Sequence, residues 1–256
     1  MIGKLWNPLR AALALLTTLP VPPPAAHDPA STETPSTDPG DLGHAPLTYP
    51  LVGLLLGVLL IAACWALFDL PPLAAAIVLA LWVALTGALH LDGLADCADA
   101  LLGGHADAER RRAILKDPHV GTVGVVAVVL ALIGKFAGLA AVVEHGSLVP
   151  LLLTPVLART AVLALMCAVP CASPGGLAAT ATAHLPRQTG WLVVGVVALL
   201  ALWPAPAALL VVALVTALIG HGALRRLGGA NGDVYGATIE LTEAAVLLML
   251  ATPATG

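Results

Sequence analysis

The chain is poor in charge. Only 10% of its 256 residues are Asp, Glu, Lys or Arg, whereas a soluble domain carries about 25%. Hydrophobic residues make up 59% of the sequence, so the polar residues are too few to cover the surface of a soluble fold. This imbalance excludes an ordinary soluble protein and predicts a protein that is integrated in a lipid bilayer.

Aromatic residues and clustered basic residues are also scarce. Aromatic side chains account for 4% of the chain, and the formal net charge is −4. A nucleic-acid-binding surface needs a basic stripe or aromatic stacking platforms, so we expect no nucleic-acid partner. The four cysteines form no CxxC pair and no Cys/His zinc spacing, and we interpret them as small apolar side chains.

Long apolar runs occupy most of the sequence. A membrane-spanning helix needs about 20 mainly apolar residues. The 191–220 run is too long for one straight span and contains WPAP at 203–206, which predicts two helices joined by a tight turn. The sequence therefore predicts an all-α, polytopic helical membrane protein with about seven membrane segments. The candidate runs are 50–68, 73–89, 119–143, 148–169, 191–220 and 237–251.

Two segments precede these runs. The first combines Lys4 and Arg10 with a short apolar run but has no signal-peptide cleavage site, so we predict an interfacial or re-entrant helix that stays on the protein. Residues 22–46 contain seven prolines among Ser, Thr, Asp and His. We predict a flexible Pro-rich surface loop there, within a single integral membrane domain that covers residues 1–256.

Positive charges are confined to a few segments. Lys135 and Arg159 fall inside predicted spans, and the other nine of the eleven Lys and Arg residues lie elsewhere. These nine are in the N-terminal segment or in the loops 90–118, 170–190 and 221–236. With a cytoplasmic N-terminus, seven crossings put all three loops on the cytoplasmic side. This agrees with the excess of Lys and Arg in cytoplasmic loops.

An acidic stripe, HLDGLADCADALLGG at 90–104, follows an apolar run. Asp92, Asp96 and Asp99 are three or four residues apart and would share one face of a helix. Because three neighbouring carboxylates repel one another, we expect a cation among them, and oxygen ligands favour Mg²⁺. The alternative is a solvated helix end with three surface aspartates.

Two further clusters carry charge. In AERRRAILKDPHVGTVG at 108–124, Asp117 follows basic residues that could bind phosphate beside a metal, or that could merely set the topology. In RRLGGANGDVYGATIELTE at 225–243, a Gly-rich turn allows close approach to a phosphate. Glu240 and Glu243 follow within an apolar run and are functional candidates, unless they pair with Lys135 or Arg159.

Together these segments resemble the adenosylcobinamide-GDP ribazoletransferase family, also called cobalamin synthase. The similar segments cover most of the chain in the family's order. They are LTTLPVP (16–22), YPLVGLLLG (49–57), HLDGLADCADALLGG, ER…LKDPHVGTVGV and LGGANGDVYGATIELTE. The chain departs from the family at Thr18, where a basic residue is usual, and at Cys97, Pro118 and Asn231, where Thr, Ser and Thr are usual.

The resemblance implies a Mg²⁺-dependent transferase that performs the last step of cobalamin nucleotide loop assembly. The 5′ hydroxyl of α-ribazole, or of its 5′-phosphate, would attack adenosylcobinamide-GDP and release GMP. The expected partners are these two small molecules and the lipid bilayer. The expected location is the bacterial inner membrane, with the active site facing the cytoplasm.

Site residues follow from the clusters and from the resemblance together. The expected metal ligands are Asp92, Asp96, Asp99, Asp117 and Asp233. The expected catalytic residues are His90, Asp92, Asp96 and Asp99, with His90 or Asp99 as a base for the ribazole hydroxyl. The expected substrate-binding residues are Arg110, which matches a family block, together with Lys116, Arg159, Asn231, Gly232, Glu240 and Glu243.

Three other functions remain as alternatives. A CDP-alcohol phosphotransferase of lipid synthesis has the pattern DxxDGxxAR, but here Gly93 directly follows Asp92 and the Arg is missing. An ion-coupled transporter would use Asp92, Glu240 or Glu243 near the bilayer midplane, whereas the stripe lies at a membrane edge. The third alternative is a structural membrane scaffold.

Overall fold

The computed structural model describes residues 2–22, 38–66, 71–103, 111, 114, 119–173 and 175–251. This part of the chain is helical apart from an isolated bridge between Cys171 and Ala230 and the connecting turns. A 3-10 helix at Ala45–Thr48 joins α2 to α3. The helices are α1 Ile2–Leu16, α2 Pro39–His44, α3 Tyr49–Trp65, α4 Pro71–Thr86, α5 Leu89–Leu102, α6 Thr122–His145, α7 Val149–Ala168, α8 Leu177–Ala183, α9 Arg187–Leu202, α10 Pro206–Leu227 and α11 Gly232–Ala251.

The predicted polytopic helical fold is confirmed. Among the described residues, five helical stretches are long and apolar enough to cross a membrane, and the count rises to seven if each of two bent helix pairs is one span. The predicted break in the 191–220 run is also present, because α9 ends at Leu202 and α10 begins at Pro206. The N-terminal helix α1 is held by the protein core, where Ala12 and Leu16 are buried.

Proline and glycine mark the helix ends. Pro50 and Pro206 stand in the first turns of α3 and α10, where a missing N–H breaks no hydrogen bond. Gly146 and Gly228 follow α6 and α10 with φ of 68° and 82°, the left-handed conformation that closes a helix and favours glycine. These residues explain why uniformly apolar runs are divided into separate helices.

Small residues set the closest helix contacts. A Cβ atom on Gly53 of α3 would lie 2.4 Å from the carbonyl oxygen of Pro155 in α7, so only glycine fits at this crossing. A Cβ atom on Gly57 would likewise lie 2.9 Å from the Cα atom of Leu152. In a bilayer, where lipid competes with every apolar contact, such backbone approach is a main source of helix association.

A sharp bend separates α4 from α5. The two helices meet at 85°, and Gly87 and Ala88 in the bend have φ of 62° and 56°. The bend leaves carbonyl groups of α4 without helical partners. Thr18, which follows α1, satisfies two of them, since its amide donates to Leu85 O at 2.8 Å and its hydroxyl donates to Ala84 O at 2.9 Å. The bend turns the acidic stripe of α5 away from the axis of α4.

The predicted Pro-rich loop is shorter than expected. Residues 23–37 lie outside the described residues. The last part of the predicted loop, residues 39–46, is helical and belongs to α2 and the 3-10 helix. Asp38 caps α2 by accepting the amide of Gly40 at 2.8 Å. Leu42 and Ala45 are buried in the core. Proline in the first turn of a helix favours helix formation. The high proline content of the segment therefore predicted a loop where two short helices form.

The helix ends next to the acidic stripe and the Gly-rich turn meet at one end of the bundle. The guanidinium of Arg226 at the end of α10 donates to Leu101 O at the end of α5. The amide of Ala172, after α7, donates to Ala230 O, before α11, at 2.8 Å. The ends of α5, α7 and α10 and the start of α11 are therefore neighbours in space.

Candidate functional site

The site is built on a close crossing of α5 and α11. A Cβ atom on Gly93 of α5 would lie 2.9 Å from the backbone oxygen of Asp233. A Cβ atom on Gly236 of α11 would lie 3.2 Å from the Cα atom of His90. Because both glycines lack a side chain, the helix backbones come close enough to bring the acidic stripe of α5 against the first turn of α11.

Three carboxylates converge at this crossing. Asp92 is exposed, and Asp96 and Asp233 are half-buried. The negative charges of Asp92 and Asp233, together with that of Asp99, repel the carboxylate of Asp96. The ion pairs found among the described residues lie elsewhere and include none of the three. We call Asp92, Asp96 and Asp233 the acidic cluster.

Asp99 makes two hydrogen bonds that the sequence did not predict. Its Oδ2 accepts the amide of Gly121 at 2.7 Å, and its Oδ1 accepts the amide of Gly124 at 2.9 Å. Gly121 is the residue that precedes α6, so the Asp99 carboxylate caps the start of that helix. Both oxygens satisfy backbone groups that otherwise lack partners, and the negative charge favours a helix N-terminus. These hydrogen bonds give Asp99 a structural role, and its predicted roles as a metal ligand and catalytic residue stay predictions.

The predicted Gly-rich turn ends in a cap for α11. The side-chain oxygen of Asn231 accepts the amide of Val234 at 3.1 Å, and its Nδ2 donates to Asp233 Oδ2 at 2.8 Å. Gly232 is the first residue of α11. Asn231 therefore orients the Asp233 carboxylate of the acidic cluster, a function that a Thr at this position would not perform in the same way because it lacks an amide donor.

A cavity of about 210 Å³ opens beside the acidic cluster. Asp92, Asp233, Gly232 and His90 line one side of it. The other lining residues come from α1, α3, α5, α7, α8 and α11 and are mainly apolar. The cavity therefore joins charged groups to an apolar surface within one enclosure.

His90 is buried at the edge of this cavity. Only 3% of the residue is exposed, and neither ring nitrogen has a hydrogen-bond partner in the described part of the protein. Buried polar atoms are normally paired. Both nitrogens are themselves buried, so His90 has unsatisfied polar atoms next to the cavity and does not present them to it.

The remaining predicted residues form a buried charge network. Lys135 of α6 donates to Glu240 at 2.6 Å and also to Glu243. Arg159 of α7 donates to Glu243, and the ammonium of Lys135 lies 4.9 Å from the centre of the Trp82 ring. The two basic and two acidic residues of this network are at most 3% exposed.

This arrangement is the pairing alternative that the sequence left open for Glu240 and Glu243. The four charges compensate one another, and none of the four residues lines the cavity. The role of Arg159, Glu240 and Glu243 in substrate binding stays a prediction that no contact in the structure supports. A transporter that relies on unpaired intramembrane acids is likewise not supported by these pairs.

Comparison with known proteins decides the family. The chain matches the sequence profile described as cobalamin-5-phosphate synthase over residues 8–251. It is 45% identical to the adenosylcobinamide-GDP ribazoletransferase of Pseudomonas fluorescens, covering 95% of this chain and 98% of the relative. It is 48% identical to the enzyme of that name from Pseudomonas aeruginosa, covering 95% and 97%. The chain belongs to the cobalamin-5-phosphate synthase family.

This membership confirms the predicted family and the predicted class of enzyme, a transferase of cobalamin biosynthesis. A relative from Pseudomonas putida with the same printed name is 47% identical and covers 95% of this chain. No solved structure matches the chain significantly.

The acidic cluster supplies carboxylate oxygens that could complete a Mg²⁺ site only together with other ligands. Within the described ranges, no three His, Cys, Asp or Glu side chains are arranged to hold a metal by themselves. Mg²⁺ in phosphate-transferring enzymes usually takes one or two carboxylates and completes its shell with water and phosphate oxygens. Half-exposed carboxylates that repel one another beside an open cavity match that mode of binding.

Three predicted residues cannot be placed. Arg110, Lys116 and Asp117 lie outside the described residues. Arg111, which lies between them, is described, and its guanidinium makes a hydrogen bond of 3.5 Å to Arg226 O. Arg111 therefore lies near the end of α10.

Sequence reasoning missed the cavity wall. Tyr49 and Tyr235 are the chain's only two tyrosines, and both line the cavity. The hydroxyls of Tyr235 and Thr182 are 3.2 Å apart within hydrogen-bonding distance. Two signals in the sequence pointed to these residues. Tyrosine is rare in this apolar chain, and both tyrosines lie in segments that resemble the family.

Proposed function

We propose that this protein is a Mg²⁺-dependent transferase that joins adenosylcobinamide-GDP to α-ribazole, or to α-ribazole 5′-phosphate, and releases GMP. The family and the printed name of its relatives support the reaction. The excess of Lys and Arg in the loops at the site's end of the bundle supports an active site that faces the cytoplasm from a bacterial inner membrane.

The observation that carries this proposal is the acidic cluster beside the cavity. Asp92 and Asp233 come from helices that are far apart in the sequence, yet both line the same enclosure with His90. The interior of the bundle pairs each of its carboxylates with a cation, whereas the acidic cluster keeps its charge for a ligand. A divalent cation and a pyrophosphate together supply that ligand.

One or two carboxylates of the acidic cluster, with Asp92 and Asp233 at the cavity as the first candidates, would hold the Mg²⁺ together with substrate phosphate oxygens. When bound, Mg²⁺ neutralises the negative charge that develops on a pyrophosphate as a nucleotide leaves. Asn231 keeps the Asp233 carboxylate oriented through its 2.8 Å hydrogen bond. Asp99 anchors the start of α6 to α5 and so keeps the α5 face in place.

His90 is the proposed base for the ribazole hydroxyl. Asp99, the other candidate, accepts hydrogen bonds from two amides, while the buried nitrogens of His90, a residue of the cavity lining, have no described partner. The 5′ oxygen of ribazole forms a bond to the phosphorus next to cobinamide, and its proton passes to an imidazole nitrogen. The bond from that phosphorus to the bridging oxygen breaks, and GMP leaves with that oxygen.

The purified protein in liposomes tests this function. With adenosylcobinamide-GDP, α-ribazole and Mg²⁺, we expect equal amounts of GMP and a cobalamin, and no product when Mg²⁺ is chelated. Asp92→Asn should abolish most of the rate. Glu144→Gln is the matched control, because Glu144 is an exposed carboxylate in the last turn of α6.

A different outcome would redirect the assignment. Formation of a phosphodiester from a CDP-lipid and an alcohol, without turnover of adenosylcobinamide-GDP, would show a CDP-alcohol phosphotransferase. If Asp92→Asn and Glu144→Gln formed GMP at equal rates, the acidic cluster would have no role in the reaction, even if the reaction itself were correctly assigned.

A further inference from the structure

A second cavity, which we call the lateral groove, is formed by α7, α9 and α10. In the described part of the chain, its lining shares no residue with the cavity beside the acidic cluster. Its volume is about 470 Å³, within the range of about 300–1,000 Å³ that is usual for ligand pockets. On α10 the lining includes three small residues, which leave room beside the helix. These are Ala213, Ala217 and Gly220.

The lateral groove is open to the surroundings of the bundle. Among its lining residues, Trp191 is 48% exposed and Leu224 is 49% exposed, and Ala213 and Ala217 are exposed as well. Helix α10 is long and apolar enough to cross a membrane, yet only 17% of its most apolar stretch is buried inside the protein. A membrane helix with so little protein around it contacts lipid. The groove is therefore accessible to the acyl chains of the bilayer.

The lining of the lateral groove is mainly apolar. Its two threonines, Thr160 and Thr216, donate their hydroxyl protons to backbone carbonyls one turn earlier in their own helices, both at 2.7 Å, so they need no polar ligand. The lining extends along α10 from Leu209 to Leu224, a length of about 22 Å at the rise of an α-helix. One leaflet of a bilayer has a hydrocarbon depth of about 15 Å. An acyl chain can thus lie along the groove.

Positive charge accompanies two lining residues, Trp191 of α9 and His221 of α10. Arg187 precedes Trp191 by four residues, and Arg225 follows His221 by four residues. Each arginine therefore shares a helix face with a residue of the lining. Both arginines are exposed, and none of the described ion pairs includes them.

The start of α9 and the end of α10 both pack against the last turns of α7. A Cβ atom on Gly190 would lie 2.5 Å from the Sγ atom of Cys167, and a Cβ atom on Gly220 would lie 2.9 Å from the Cδ1 atom of Leu165. The two arginines are therefore at the same end of the lateral groove. Tryptophan and basic side chains together are typical of the membrane–water interface, so this end lies at the level of the lipid headgroups.

We infer that the lateral groove binds one anionic phospholipid of the bilayer, with an acyl chain along α10 and the phosphate at the end that carries Arg187 and Arg225. An apolar groove with cations at one end matches the two parts of such a lipid. Basic pockets between membrane helices are typical sites for anionic headgroups. The inference does not depend on the proposed reaction, because the groove is separate from the acidic cluster.

Native mass spectrometry of the intact protein in detergent tests this inference. The probes are phosphatidylglycerol, which is anionic, and phosphatidylcholine with the same acyl chains, which is zwitterionic. We expect the protein to retain one phosphatidylglycerol, with a Kd about 10-fold lower than that for phosphatidylcholine. Ala217→Phe fills the groove and should raise the Kd of phosphatidylglycerol at least 10-fold. The matched control is Ala137→Phe, because Ala137 is an exposed residue of α6 that does not line the groove.

The role of the headgroup is tested by charge. Arg187→Gln with Arg225→Gln should raise the Kd of phosphatidylglycerol about 10-fold and remove the preference over phosphatidylcholine, because each basic residue near the headgroups attracts an anionic lipid. Arg187→Lys with Arg225→Lys keeps both charges and should keep the preference. Added phosphatidylglycerol should also raise the Tm of the unmodified protein, since a ligand that binds the folded state stabilises it, and should raise that of the Gln variant less.

Three results would overturn the inference. The first is an equal Kd of phosphatidylglycerol in Ala217→Phe and Ala137→Phe, and the second is an equal Kd of both lipids in the unmodified protein. The third is a dimer that Ala217→Phe separates, which would show a second copy of the chain in the groove. If Ala217→Phe does not fold, Ala213→Phe takes its place, and the arginine variants decide the question of charge in either case.

Discussion

Helix α11 carries two groups of acidic residues with opposite surroundings. Asp233, in its first turn, joins the acidic cluster, which none of the described ion pairs includes. Glu240 and Glu243, two turns further on, are buried and paired with Lys135 and Arg159. One helix therefore carries two carboxylates that the protein neutralises itself and one, Asp233, that none of the described ion pairs includes.

The difference teaches how to interpret acidic residues in a membrane protein. In the interior, an uncompensated charge is too costly to keep, so an acid persists there only with a cation. At the open cavity, water reduces the cost, and mutual repulsion leaves the carboxylates ready for a divalent ion. The network should therefore control stability, and the acidic cluster should control activity.

The largest expected effect is the loss of stability when the buried charge network is broken. Glu243→Gln leaves Arg159 and Lys135 with Glu240 as their only buried acid, and removing one partner of a buried pair costs about 3–5 kcal/mol. We expect Glu243→Gln to lower the free energy of unfolding strongly, as measured by denaturant titration in detergent. The control Glu144→Gln should change this free energy little. Unfolding that matches the unmodified protein would mean that the network does not stabilise the bundle.

The next effect concerns the acidic cluster. Asp92→Asn should lower kcat/KM for GMP release by about 100-fold or more, because an exposed carboxylate that contacts the reacting complex is lost. The same variant should unfold at the temperature of the unmodified protein, since Asp92 is exposed and has no cationic partner in the described pairs. A stability loss comparable to that of Glu243→Gln would erase the distinction between the two groups.

A charge-balanced pair of substitutions sharpens the comparison. Lys135→Met alone leaves Glu240 without a described cation, while Lys135→Met with Glu240→Gln removes one charge of each sign. We expect the double variant to recover about 0.5–3 kcal/mol relative to the sum of the single variants. Additive losses in the same denaturant titrations would show that these residues act independently.

The smallest expected effect is that of Asp99→Ala, which tests whether Asp99 acts differently from the residues of the acidic cluster. As a cap for α6, Asp99→Ala should cost about 1 kcal/mol of unfolding free energy. It should lower activity less than Asp92→Asn does, because Asp99 holds Gly121 and Gly124 and acts through them. Differential scanning calorimetry and GMP release together check this expectation. A rate loss as large as that of Asp92→Asn would return Asp99 to the set of metal ligands.

Much of the fold followed from local patterns. Apolar run length predicted the membrane helices, and Pro at 204 and 206 marked the break between α9 and α10. Helical spacing also placed Asp92 and Asp96 on one face. These features depend on residues that are near one another in the chain, so the sequence alone could predict them.

Features that depend on contacts between distant residues were not predictable in the same way. The cap that Asp99 provides needs a residue 22 positions away, and the pairing of Glu243 with Arg159 joins residues 84 positions apart. The sequence offered both a structural and a functional role for Glu243, and only the neighbours of α11 distinguish them. The cavity wall combines several helices, so no single segment of the sequence reveals it.

Metal binding by the acidic cluster tests the central claim most directly. Mn²⁺ replaces Mg²⁺ as a paramagnetic probe, and free Mn²⁺ is measured by electron paramagnetic resonance in the presence of adenosylcobinamide-GDP. We expect saturable binding whose Kd rises about 10–100-fold in Asp92→Asn with Asp233→Asn and does not change in Glu144→Gln. The same Kd in all three proteins would contradict the claim that these aspartates hold the ion.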